Sequence, residues 1–141
     1  MKYYLYIFFI ISIYSCSVIK NGRPDNILIY SVSPFNRCYI YAISCDKVRN
    51  LPGVTSVKYA SKKEVKRSNS LFGNLDNFSL DTLLTSIDSR SQIVFRKGDS
   101  TVYCVCVSSV GRIQIDGKIY IANRKVEDYL LAKGLIVKII N

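Results

Sequence analysis

The sequence predicts an α+β domain, a small and mostly antiparallel sheet of six or seven strands with two or three short helices. Short runs rich in Ile, Val and Tyr recur between turn residues, which is the strand signature. Asp116-Gly117 stands between two of these runs, and a type I′ hairpin turn needs positive φ at both central residues. Three helix-start patterns interrupt the runs. A chain of 141 residues suits one domain large enough to bury a core.

The strand-like runs are 26–32, 38–44, 55–60, 92–96, 101–108, 112–115 and 118–121. At the Asp116-Gly117 turn, a plain two-residue loop pairs Ile115 with Lys118 and Ile113 with Tyr120. That leaves Ile119 and Ile121 on the opposite face, so either both faces are partly buried or a bulge shifts the register. Ser61-Lys62-Lys63-Glu64 fits a capping box and predicts a short basic helix from Lys62. Residues 81–87, capped by Ser79, predict a second helix with Leu83, Leu84 and Ile87 on its buried side. The third helix has Asn123 as its cap and Val126, Leu130 and Leu131 as its apolar stripe. Lys133 lies in its last turn, and Gly134 is suited to a left-handed C′ position. Residues 135–140 read as a final buried strand, and 68–78 as an irregular surface loop.

The amino-terminal stretch has a different character. Lys2 is a minimal positive n-region, Tyr3 to Ile13 form an apolar h-region, and small Ser15 precedes Cys16. With Ile13 three residues before the cysteine, the stretch resembles the leader of bacterial lipoproteins. Tyr14 and the single Lys2 depart from the commonest form of that pattern. The resemblance implies that Ile13 and Ser15 are read by a signal peptidase that cuts before Cys16. It also implies that the Cys16 thiol receives a diacylglyceryl group and that the new terminus takes a further acyl chain such as palmitate. An uncleaved anchor needs about 20 apolar residues, more than this run supplies; an ordinary secretory leader ending near Cys16 is the other reading. The chain divides accordingly into a signal peptide, 1–15, a lipidated tether, 16–25, and a single globular domain, 26–141. The protein is expected outside the cytoplasm, anchored to a bacterial membrane on its extracytoplasmic face, in the cell envelope or periplasm. Several acyl chains hold firmly where one alone is marginal.

Lys and Arg total 20 against 10 acidic residues, and the surplus is uneven. Residues 20–67 carry ten basic side chains against Asp25, Asp46 and Glu64. A basic face near an acylated terminus favours an anionic membrane surface. Its candidate contacts are Lys58, Lys62, Lys63, Lys66 and Arg67. The same surplus serves equally as a solubility device. Tyrosines beside these cations could stack on bases, but an exported chain seldom meets nucleic acid, and none is expected as a partner.

There are no histidines, which removes the usual general base and the commonest metal ligand. The adjacent acids Glu127-Asp128 fall in the first turns of the third helix, where they complement the dipole. No phosphate loop occurs. No catalytic residue, cofactor or metal site is assigned. Cys38, Cys45, Cys104 and Cys106 are candidate disulfide partners, the simplest pairing joining Cys38 or Cys45 to Cys104 or Cys106; buried thiols are the competing reading. Cys104 and Cys106, two apart in a strand, share one face, while Tyr103, Val105 and Val107 share the other.

Gly111-Arg112, Asp116-Gly117, Val126, Leu130-Leu131 and Gly134-Leu135 resemble the tail of staphylococcal-nuclease-like domains. The acidic and Arg residues of that family's calcium and phosphate chemistry have no counterpart here, so the resemblance implies at most a catalytically inert nuclease-like domain. The chain is therefore expected to be a cell-envelope lipoprotein that binds, or plays a structural part, rather than catalyses. Its partners would be membrane lipid through acylated Cys16 and an envelope protein. The competing expectation is a secreted or envelope inhibitor or immunity-type protein that binds another protein by an exposed strand or by the basic helix.

Overall fold

Alternating β-branched and aromatic side chains become seven strands of one sheet in the computed structural model, which describes residues 22–33 and 42–137. They are β1 (Asn26–Ser31), β2 (Thr55–Tyr59), β3 (Phe78–Leu80), β4 (Ser89–Lys97), β5 (Ser100–Ser108), β6 (Arg112–Ile115) and β7 (Lys118–Ala122). The sheet order is β2-β1-β4-β5-β6-β7-β3, and every pairing is antiparallel. Together with its helices this is the α+β class expected. The β6–β7 hairpin takes the plain two-residue register, Ile115 opposite Lys118 and Ile113 opposite Tyr120. Asp116 and Gly117 both have positive φ, 49° and 76°, as the type I′ turn requires.

Strand alternation sorts the side chains onto two faces. Ile27, Ile29, Ile93, Phe95, Val105, Val107, Ile113 and Ile115 form the first face and join the main core. Two helices cover it, α1 (Lys62–Phe72) and α2 (Arg124–Ala132). α1 buries Val65, Ser68 and Phe72, and α2 buries Val126, Tyr129 and Leu130. The ring of Phe72 lies 6.3 Å from Phe78, 6.0 Å from Phe95 and 5.7 Å from Tyr129, centroid to centroid. One side chain thus ties α1 to β3, β4 and α2. Ile119 and Cys106 are buried on the second face, so both faces of the hairpin carry core residues, and no bulge is needed.

The cap of α2 forms as expected, Val126 N donating to Asn123 Oδ1 at 3.2 Å. The helix ends in a Schellman arrangement, Gly134 N to Leu131 O at 3.0 Å and Leu135 N to Leu130 O at 2.9 Å, with Gly134 at φ 68°. Its third apolar anchor is Tyr129, while Leu131 is only half buried. The capping box of α1 does not form. Ser61 makes no side-chain cap bond, and the Glu64 carboxylate is engaged by Lys133.

Four expectations are corrected in the described residues. No helix forms over 81–87, and Leu83 is 91% exposed. The chain leaves edge strand β3 and must re-enter at β4, four strand spacings away, or about 19 Å. Seven helical residues rise only about 10 Å. Asp81 fixes the extended route, its Oδ1 accepting from Leu83 N at 3.0 Å and its Oδ2 from Arg112 Nε at 2.9 Å. The stretch 68–78 is not an open surface loop: α1 runs through Phe72, which is buried, and Phe78 starts β3. Residues 42–44 are not a strand: Ile43 N donates to Asp88 Oδ1 at 2.9 Å and Ile43 O accepts from Ser89 N at 2.8 Å; residues 38–41 lie outside the described residues. Nor is 135–137 a strand, although Leu135 is buried and Val137 N donates to Ser109 O; residues 138–140 lie outside the described residues.

Candidate functional site

On the second face of the sheet, Cys106 lies opposite Gln114 on β6 and Gln92 on β4. A 3-10 helix, Cys45–Asn50, buries Val48, and Cys45 is joined to Cys106 by a disulfide with a Cα–Cα separation of 5.6 Å. Gln92 Nε2 donates to Cys45 O at 3.2 Å. Cys104 shares this face, is a half-buried free thiol, and has its pKa raised by burial. Cys38 lies outside the described residues, as do Ile13, Ser15 and Cys16.

The candidate cations divide. Lys62, Lys63, Lys66 and Arg67 are exposed along the outer face of α1, while Val65, Ser68 and Phe72 face the core. Spacings of three and four residues produce this division. Lys58 is exposed on β2 opposite Leu28, and so points to the second face of the sheet. Sequence reasoning missed Arg23. The segment 23–25, assigned above to the tether, packs beside α1 and leaves a groove. One reach of about 760 Å³ is walled by Pro24, Ala60 and Val65 and rimmed by Arg23, Lys62 and Lys66. A second reach of about 570 Å³ shares Arg23, Pro24, Asn69 and Ser70 and ends on Tyr103. The available signal was Arg23-Pro24, since a residue before proline is confined to extended backbone.

Asp25 is the acid beside this groove, and it is already engaged. Its oxygens accept from Gly98 N at 3.1 and 3.0 Å and from Asn26 Nδ2 at 2.6 Å. The Gly98 bond, then the Asn26 bond, hold its carboxyl below the usual range. Tyr103 Oη donates to Asn69 Oδ1 at 2.9 Å, and burial pushes the phenol pKa up. Among the described residues, Arg23, Lys62 and Lys66 have no ion-pair partner. The arrangement can attract an anion and offers it an apolar wall.

Behind the basic face lies a second polar cluster. Glu64 Oε1 accepts from Lys133 Nζ at 2.7 Å and from Tyr129 Oη at 3.3 Å; Ser68 Oγ and Tyr129 Oη are 2.7 Å apart. The Lys133 ammonium sits 4.1 Å from the Tyr59 ring centroid. Hydrogen bonding from Lys133 lowers the Glu64 pKa against the opposing effect of burial. Burial works against the Lys133 charge, but Glu64 and the two tyrosines outweigh it and raise the lysine's pKa. A Ser-Lys nucleophile needs an exposed hydroxyl and an uncharged amine. Ser68 is fully buried and Lys133 is held charged, so this cluster is a strut between α1 and α2.

Among the described residues, no group of three or more His, Cys, Asp or Glu is placed to hold a metal ion. No described helix is long and apolar enough to cross a membrane. In comparisons with protein-family models, curated proteins and solved structures, nothing matches this chain.

Proposed function

We propose that the chain is a small cell-envelope lipoprotein, exported and tethered through acylated Cys16, whose domain acts by binding rather than by catalysis. The observation that carries the export part is the Cys45–Cys106 disulfide. Such bonds persist in oxidising compartments and are rare where thiols are kept reduced. The lipobox-like order Ile13, Ser15, Cys16 supplies the tether. The binding role is supported by Arg23, Lys62 and Lys66, which line the groove beside α1 and have no ion-pair partner among the described residues. Metabolic labelling with a fatty-acid analogue tests the reading. Label should appear on the wild-type chain and vanish with Cys16→Ala; label that survives the substitution sinks the lipoprotein assignment.

A second reading, an inhibitor or immunity-type protein that binds another protein, is favoured by β2. Among the described residues it is the terminal strand of the sheet, with Thr55, Ser56, Val57 and Lys58 exposed, and an edge strand can accept a partner strand. One stoichiometric protein recovered from envelope extracts, and lost with Val57→Lys, would establish it.

A further inference from the structure

We propose that the groove between residues 22–25 and α1 holds the phosphate of an anionic lipid headgroup. The inference rests on the membrane-tether reading for the source of the phosphate, and on the groove for its place. Three cations line the groove. Lys62 and Lys66 are one turn apart on α1, a spacing that puts them on one side of a helix. Arg23 lines the same groove from the incoming chain. None of the three has an ion-pair partner among the described residues, and Asp25 spends its oxygens on Gly98 and Asn26. Asp25 also lines the groove and stays ionised, so three cations stand against one carboxylate and the groove is net positive.

The donor set fits a phosphate oxyanion. A guanidinium fork engages two oxygens at once, and ammonium groups add point charges. Pro24 and Ala60 offer apolar surface for a glycerol backbone, which inorganic phosphate would leave uncovered. Position selects the membrane as the source. Cys16 precedes Gly22 by six residues, and six residues span at most about 20 Å. An acylated Cys16 thus holds the groove within about 20 Å of the lipid surface.

The test uses the full chain in neutral detergent, with backbone amide resonances followed during addition of short-chain phosphatidylglycerol, short-chain phosphatidylcholine or glycerol 3-phosphate. Phosphatidylglycerol should shift the amides of residues 62–70 saturably and bind at least tenfold more tightly than either of the others. Arg23→Gln with Lys62→Gln and Lys66→Gln should weaken it on the order of a hundredfold, at several-fold per basic residue. Lys47→Gln with Arg49→Gln and Lys118→Gln, which removes equal charge elsewhere, should change it less than about threefold, the scale of a screened long-range effect. The single change Lys66→Gln should give an intermediate loss. Equal weakening by the two triple variants would reduce the effect to net charge and overturn the site. Equal binding of phosphatidylcholine or of glycerol 3-phosphate would overturn the lipid assignment. Detergent replaces the anchor in this experiment, so its outcome is independent of whether Cys16 is acylated. A failed label on Cys16 and a failed groove are therefore separate results.

Discussion

Glu64 carries more of this fold than its place in a helix start suggests. It receives the Lys133 ammonium and the Tyr129 hydroxyl, and through Tyr129 it is linked to the buried Ser68. Its pKa is lowered in the folded chain, so the stabilisation is present above the unfolded carboxyl's pKa and is lost as pH falls through the folded one. The melting temperature should therefore drop as pH is lowered from about 5 towards 3. Glu64→Gln should flatten that part of the profile while lowering stability at pH 7; an unchanged acid slope in thermal melts would refute the strut. Tyr129→Phe leaves the Ser68 hydroxyl buried without its partner and should cost about 1–3 kcal/mol in denaturant unfolding. None of this partnership is legible in the sequence. Residues 64 and 133 are distant along the chain, and the Ser61-x-x-Glu64 pattern points the glutamate at the wrong partner.

The cap of α2 and the β6–β7 turn, both specified by local chemistry, form as expected. Asn123 caps α2 because its carbonyl reaches the Val126 amide, and Asn123→Ala should cost about 1 kcal/mol. Ser61→Ala should cost close to nothing by the same denaturant measurement, since Ser61 makes no side-chain cap bond. Comparable losses at the two sites would contradict the difference in capping. The β6–β7 hairpin is equally local, because Asp116 and Gly117 alone set the turn. The segment 81–88 shows the opposite case. Its apolar spacing suits a helix, yet its job is to cross the sheet from β3 to β4, and a span of that width excludes a short helix. Phe72 likewise reads as part of a polar loop until β3, β4 and α2 bring three aromatic rings to it.

At the scale of the molecule, the Cys45–Cys106 bond staples the second face much as the helices cover the first. It closes a sequence separation of 61 residues, for which the chain-entropy account gives about 4 kcal/mol. Reduction, or Cys45→Ser with Cys106→Ser, should lower the denaturant midpoint by a corresponding amount. A reduced protein as stable as the oxidised one would show that the bond is dispensable to the fold. The basic face is also a property of the whole chain. Lys62, Lys63, Lys66 and Arg67 are adjacent in sequence and legible as a group. Arg23 joins Lys62 and Lys66 only because residues 23–25 pack beside α1, and Lys58 is separated from them by strand alternation alone.

By itself the sequence determined the class of the fold, the hairpin, the cap and end of α2, and the shared face of Cys104 and Cys106. These rest on periodicity and on contacts within a few residues, which the chain order states directly. Only the tertiary structure decided which cysteine meets Cys106, where Glu64 sends its charge, how 81–88 runs, and that Arg23 completes a groove with Lys62 and Lys66. Those outcomes depend on which strands become neighbours and on the distance between them. Strand order is set by burial of the two faces as a whole, a condition that no local stretch of residues expresses.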